Sequence, residues 1–330
     1  MHHVPIKSSH TCLAKRRHRS SMTEKDLNIE KVANWWDQSR EEGQKKSLVA
    51  WMEHAQIKRH INRRTTGDES LSWFKYVLQK YFKSPIDRAL SLGCGTGGLE
   101  RNALWAEAVG FFDAYDVSPG AVESAKKAAI EAGILERINY KVGDLNHIQL
   151  KRHAYDAVFS SMSIHHIQAL ENVFESVRAS LRPSGLFIIN EYIGPNRFQL
   201  PPVQIGLIND MLEILPQRLR KIIRGGQITS DIKHSYEVLP LTWFDENDPS
   251  EAVRSGDIMA ILERFFTVLE FKPYGGALLQ FIVEDIVGNF DDNDQEDRAW
   301  LEMLEFVENK LEEVGVIKSD FALIVSEPKT

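Results

Sequence analysis

The chain has 330 residues, enough for one large α/β domain with insertions or for two domains. Its composition, 43% hydrophobic and 26% charged, is that of a soluble globular protein, and a formal net charge of −7 weighs against a nucleic-acid partner. No apolar run approaches the roughly 20 residues of a bilayer span, and Cys12 and Cys94 alone give no disulfide framework, so a cytoplasmic protein without a membrane span is expected.

Residues 1–21 carry Lys7, Lys15, Arg16, Arg17 and Arg19 and no acidic residue. They lack the apolar stretch of a secretory signal and read as a basic, disordered extension. Residues 22–83 read as a helical lid. Apolar and aromatic side chains recur there at helical spacing, among them Val32, Trp35, Trp36, Ile57, Ile61, Trp73 and Val77, with a turn at Thr65–Asp68.

From residue 84 the rhythm becomes strand, helix, strand. Arg88–Gly93 is a strand, Gly98–Val109 a helix, Phe111–Val117 a strand, and Pro119–Ala132 a helix opened by Ser118-Pro119. Ile138–Val142 and Ala154–Ser160 are strands, Ile167–Leu181 is a helix and Leu186–Ile193 a fifth strand. Such alternation predicts parallel strands with crossover helices, a doubly wound Rossmann-like α/β sheet over residues 84–193. Residues 194–257 interrupt it and read as a cap, with an amphipathic helix over Val203–Ile223 and a loop from Gly225 to Ser250. Residues 258–330 complete the core. Helix Ile258–Phe265, strand Phe266–Lys272 and helix Ala277–Val287 come first. An acidic surface loop over Asn289–Asp297, helix Arg298–Glu313 and a last strand, Phe321–Val325, follow.

Gly93-Cys94-Gly95-Thr96-Gly97-Gly98 closes the first strand. Glycines let a backbone approach a ligand closely, and the following helix N-terminus offers free N–H groups, so the stretch is a nucleotide-cofactor loop. Its spacing fits G-x-G-x-G and also the dinucleotide fingerprint, which leaves a nicotinamide cofactor and S-adenosylmethionine both open. Cys94 lies between two loop glycines, where small size is reason enough for it. Asp116 ends the second strand, where a carboxylate can accept from both ribose hydroxyls of either cofactor. Gly143-Asp144-Leu145 follows the third strand. A carboxylate there can accept from an adenine amine, and it can equally turn the chain. Tyr155–Ser160, paired with Leu181-Arg182-Pro183-Ser184-Gly185 and the apolar run after it, is the more specific signal.

Together these segments resemble the class I S-adenosylmethionine-dependent methyltransferases, over about residues 86–193 and again at the last two strands. The resemblance implies a seven-stranded sheet whose last strand, Phe321–Val325, is antiparallel, and S-adenosylmethionine as cofactor. It implies that Gly93, Cys94, Gly95 and Gly97 meet the methionine part of the cofactor. Asp116 and Val117 then hold the ribose, Asp144 and Leu145 read the adenine, and Ser160 and Met162 lie beside the cofactor after the fourth strand. Where the family often carries an acidic residue this chain has Ser91, so the contacts of that carboxylate must come from elsewhere. Trp35-Trp36-Asp37 is similar to the aromatic-acid segment that closes over the cofactor in small-molecule members.

Methyl transfer is an in-line displacement, so positioning of the nucleophile supplies much of the rate, and a hydroxyl nucleophile also needs a base. His165 and His166 follow the fourth strand at the carboxyl end of the sheet, where either can serve as that base. The bland reading is a histidine that opens a helix whatever the substrate. Glu191 ends the fifth strand toward the same mouth, where it can orient an amine or hydroxyl. Its bland reading is a carboxylate satisfied by backbone or an arginine. No Asp or Glu follows the fourth strand before Glu171, so no metal site is expected.

The leading expectation is a metal-independent methyltransferase acting on a small molecule, with oxygen favoured over nitrogen or carbon as acceptor. A tRNA or protein methyltransferase is the first competitor, and a concentrated basic face at Arg218–Arg224 would favour it. A non-catalytic module that binds the cofactor and works through partners is the second. The apolar stretch from Val203 to Leu215 reads as core or as a homodimer contact of the cap, and the N-terminal helices offer a second surface for a homodimer.

Overall fold

The computed structural model describes residues 31–37 and 51–329, so the basic extension expected over residues 1–21 lies outside the described residues. Three helices come first: α1 (31–37), α2 (Ala55–Thr66) and α3 (Trp73–Tyr81). The turn after α2 is made by Gly67, whose φ of 85° suits glycine alone. The alternating segment follows: β1 (Ile86–Leu92), α4 (Gly98–Trp105), β2 (Val109–Asp116), α5 (Pro119–Glu131), β3 (Ile138–Val142), β4 (Tyr155–Ser161), α6 (Leu170–Ser180) and β5 (Leu181–Tyr192). Residues 194–257 contribute α7 (Pro202–Ile214), β6 (Lys221–Arg224), β7 (Gln227–Ile232) and α8 (Leu241–Glu246). The chain closes with α9 (Ile258–Phe265), β8 (Phe266–Gly275), α10 (Leu279–Val283), α11 (Gln295–Glu313) and β9 (Phe321–Pro328).

The main sheet has seven strands in the order β3-β2-β1-β4-β5-β9-β8, and β9 runs antiparallel to both of its neighbours. Its central strands are near-continuous apolar runs because helices cover both faces; Leu90, Leu92, Val158, Phe159, Ile188 and Ile324 are all fully buried. At about 1.5–3 kcal/mol for each fully buried large apolar side chain, these strands hold the frame rigid. The chain goes outward from β1 to β2 and β3, then returns to place β4 on the other side of β1. That reversal opens a crevice beyond the carboxyl ends of β1 and β4, the switch point where open α/β sheets bind ligands. The glycine loop follows β1 and the two histidines follow β4, so both motifs converge there.

Residues 194–257 differ from expectation. The helix expected over Val203–Ile223 stops at Ile214, because Pro216 biases Leu215 to extended backbone and cannot donate into the last turn. The expected loop instead contains the β6–β7 hairpin, turned by Gly225 and Gly226 at φ of 61° and 73°. Ile208, Leu212, Leu215 and Leu219 pack with Phe281, Ile282, Leu301 and Leu304 of the C-terminal helices in one core. The apolar stretch is therefore core, although Val203 and Ile214 stay exposed. The expected acidic surface loop is also partly wrong. Asp294 caps α11 by accepting from the Glu296 and Asp297 N–H groups, and Asp297 is buried against Arg218.

Candidate active site

The crevice is a cavity of about 820 Å³, within the size range of ligand pockets. Gly93, Cys94, Gly95, Asp116, Val117, Asp144, Leu145, Met162 and His166 line it, together with Val32 and Trp36 of α1 and Ser250 and Val253 of the insertion. Gly97, Ser160, His165 and Glu191, also singled out in the sequence, do not.

Backbone dominates the β1 side. Gly93 has a φ of 68°, and a Cβ there would stand 2.3 Å from the Ser163 Cβ, so only glycine lets the ends of β1 and β4 approach. A Cβ on Gly95 would meet no atom within 4 Å, because the space above it is cavity. Gly97 is the left-handed N-cap of α4 and faces Tyr140 rather than a ligand. Burial drives the Cys94 thiol far above its ordinary range, which argues against a thiolate. Ser160 is buried, bonding the Ser163 hydroxyl at 2.6 Å. Met162 lines the cavity with a φ of 54°, a strained conformation for a long side chain.

Asp116 accepts from the Gly95 N–H at 2.8 Å and the Ser118 N–H at 2.9 Å, one on each oxygen. Each oxygen keeps a second lone pair for a diol. Desolvation raises the Asp116 pKa even though these bonds oppose the rise. Asp37 of α1 accepts from the Ser118 hydroxyl and from the Gly120 N–H at 3.1 Å, so the acid after Trp35-Trp36 anchors α1 on the N-terminus of α5. Asp144 turns the chain after β3, accepting from the Asn146 N–H and pairing with His147. The cavity therefore offers a carboxylate with a lone pair free on each oxygen, a second carboxylate and apolar walls, a set that fits S-adenosylmethionine.

Side chains dominate the β4 side, and here Glu191 departs from expectation. It is fully buried and does not face the mouth. Its carboxylate accepts from the N–H groups of Ser163 at 2.8 Å, Ile164 at 2.6 Å and Tyr192 at 2.7 Å, and it pairs with His165 Nδ1. Burial works against a charged His165, but Glu191 and then Glu251, 3.6 Å from Nε2, overcome it and hold the pKa up at about 9. His166 is the opposite. Burial, then the neighbouring His165 charge, pushes it well below its ordinary value, so its ring is neutral.

Two insertion residues, missed in the sequence, set the His166 tautomer, and a third holds their loop. The Ser250 hydroxyl donates to Asp248 at 2.6 Å, spending its one proton. At 3.1 Å from His166 Nδ1 it can only accept, so Nδ1 carries the hydrogen and Nε2 keeps a lone pair. Arg197 fixes this loop by donating to the Glu251 carbonyl at 2.8 Å and the Pro249 carbonyl at 2.7 Å. The edge of Trp36 packs on the His166 ring with centroids 5.0 Å apart. Nothing local in the sequence announces these partners; Asp248-Pro249-Ser250 reads only as a turn.

The methyltransferase-domain family model matches residues 90–189, the segment that builds the glycine loop, both carboxylates and the two histidines. Residues 90–189 are a class I S-adenosylmethionine-dependent methyltransferase domain. Its cofactor is S-adenosylmethionine. Curated relatives are similar over about a third of the chain. A hybrid PKS-NRPS synthetase of Emericella nidulans is 30% identical over 132 residues, covering 38% of this chain and 3% of that one. A sterol 24-C-methyltransferase of Aspergillus fumigatus is 28% identical over 110 residues, 32% of this chain and 28% of that one. A human arginine-hydroxylase is 28% identical over 112 residues, 34% of this chain and 30% of that one. Each match thus spans a small part of the relative, and the family model ends short of both α1 and residues 194–257. Among the described residues no helix is long and apolar enough to cross a membrane.

Proposed function

We propose that the chain transfers the methyl group of S-adenosylmethionine to a hydroxyl of a small molecule, with His166 as the base. When bound, the cofactor supplies a sulfonium methyl group open to in-line displacement. Gly93, Gly95, Asp116 and Val117 hold it at the β1 end, and Asp144 and Leu145 stand where its adenine is read. Val32 and Trp36 cover the cavity and exclude water. His166 Nε2 takes the acceptor proton as the oxygen gains the methyl group.

The neutral, tautomer-fixed His166 on the cavity wall carries this reading. His165, held charged between Glu191 and Glu251, is a positioning residue that keeps its neighbour unprotonated. The expected basic face does not support a nucleic-acid acceptor, since Arg218 is spent on Asp297 and Glu296 and Arg224 faces Asp231 at 3.5 Å. A carbon acceptor is the second reading, which the similarity to a sterol 24-C-methyltransferase favours. A metabolite screen with isotopically labelled cofactor tests the proposal. His166→Ala should slow labelling by about 10²–10⁴-fold with cofactor affinity retained, and wild-type rates would remove the base. Product NMR separates a methoxyl from a C-methyl group.

A further inference from the structure

The insertion places Glu251 against both histidines. One ring nitrogen from each of His165 and His166 and one Glu251 carboxylate oxygen lie within 4.8 Å of one another. Nδ1 of each ring is already committed, to Glu191 and to Ser250, which leaves Nε2 of each as the available donor. The Glu251 carboxylate makes no hydrogen bond among the described residues; its nearest charged partner is His165 Nε2 at 3.6 Å.

We propose that His165 Nε2, His166 Nε2 and Glu251 form a binding site for one divalent first-row transition cation, such as Zn²⁺ or Fe²⁺. Metal–nitrogen and metal–oxygen bonds of about 2.0–2.2 Å put neighbouring ligand atoms about 2.9–3.5 Å apart, so small side-chain movements close the set. Two imidazoles and one carboxylate select such a cation over Mg²⁺ or Ca²⁺, which take oxygen ligands. The supporting layer is in place. Ligating histidines usually donate their other N–H to a carboxylate or another fixed acceptor, as His165 does to Glu191 and His166 to the Ser250–Asp248 pair. Three protein ligands leave a position open, and the site adjoins the cofactor cavity, which His166 and Ser250 line. The expectation of no metal site rested on the absence of a carboxylate soon after β4; Glu251 arrives from the insertion instead. Cation binding displaces the Nε2 proton of the charged His165 and occupies the His166 lone pair that otherwise accepts the acceptor proton, so cation and protons exclude each other at both rings.

Binding is measured without any acceptor. Full-length protein stripped with chelator is titrated with Co²⁺ by calorimetry and visible absorption. The expected result is one ion per chain with a d–d band, and affinity at least tenfold weaker in Glu251→Gln and in His165→Ala. S-adenosylmethionine affinity of Glu251→Gln, measured alongside, should be unchanged and reports an intact fold. No Co²⁺ binding by the wild-type protein, or affinity unchanged in Glu251→Gln, overturns the site while leaving the base reading standing.

Discussion

At the glycine loop the chain meets the cavity with backbone, whereas at the two histidines the wall is an arrangement of side chains drawn from β4, β5 and the insertion. Gly93 and Gly95 follow β1 and Asp116 ends the adjacent β2, and hydrogen bonds from Gly95 and Ser118 fix the carboxylate. His165 and His166 depend on Glu191, on Ser250 with Asp248, and on Arg197 gripping the loop that carries them. A backbone-built end is stiff and suits one cofactor. A side-chain-built end can be re-specified by changing an insertion, and it concentrates charge: His165, Glu191, Glu251 and Asp248 all meet there.

The largest expected effect breaks the side-chain end. Glu191→Ala removes the partner of a buried imidazolium and strands three N–H groups. It should cost about 3–5 kcal/mol in urea unfolding, as loss of one member of a buried pair does. A loss below about 1 kcal/mol would mean the β4 turn does not rest on this carboxylate.

A smaller effect, of opposite sign, sharpens the contrast at the backbone end. Glu100, on α4, is completely buried beside Ser91, and neither of its oxygens finds a hydrogen-bond partner of good geometry. Burial raises its pKa from the ordinary 4.5 to about 7. The folded state therefore favours the uncharged acid. Wild-type stability should fall as pH rises from 4.5 to 7 and then level off. Glu100→Gln lacks that loss and should be more stable by roughly 3 kcal/mol at pH 8, with the difference gone near pH 4. Equal stabilities at pH 8 would show that Glu100 is charged without cost.

The cofactor half was legible because its signals are local. A glycine loop, a strand-ending Asp and a Ser-Pro helix start each declare themselves within a few residues. β9 was legible as a short apolar run, and its direction came with the family resemblance. Glu191 misled because strand position says which end of the sheet a side chain is on, and two of the three backbone donors that claim it, Ser163 and Ile164, come from the turn after a different strand, β4. Ser250 and Asp248 were invisible because their partner lies 84 residues away for Ser250, with no periodicity linking the two. The β6–β7 hairpin was readable after all. Ile222-Ile223 and Ile228 flank Gly225-Gly226, a hairpin signal overshadowed by the apolar helix before it. Pro216 likewise marked the end of α7.

The most direct test of this division is the calorimetric affinity of S-adenosylmethionine for wild-type protein, Asp116→Ala and Ser250→Ala, with thermal melts confirming folding. Charge-assisted hydrogen bonds of about 1.5–3 kcal/mol predict at least a tenfold loss in Asp116→Ala, while Ser250→Ala should stay within about twofold of wild type. Unchanged affinity in Asp116→Ala, or equal losses in both variants, would contradict an S-adenosylmethionine site whose cofactor end is built independently of its acceptor end.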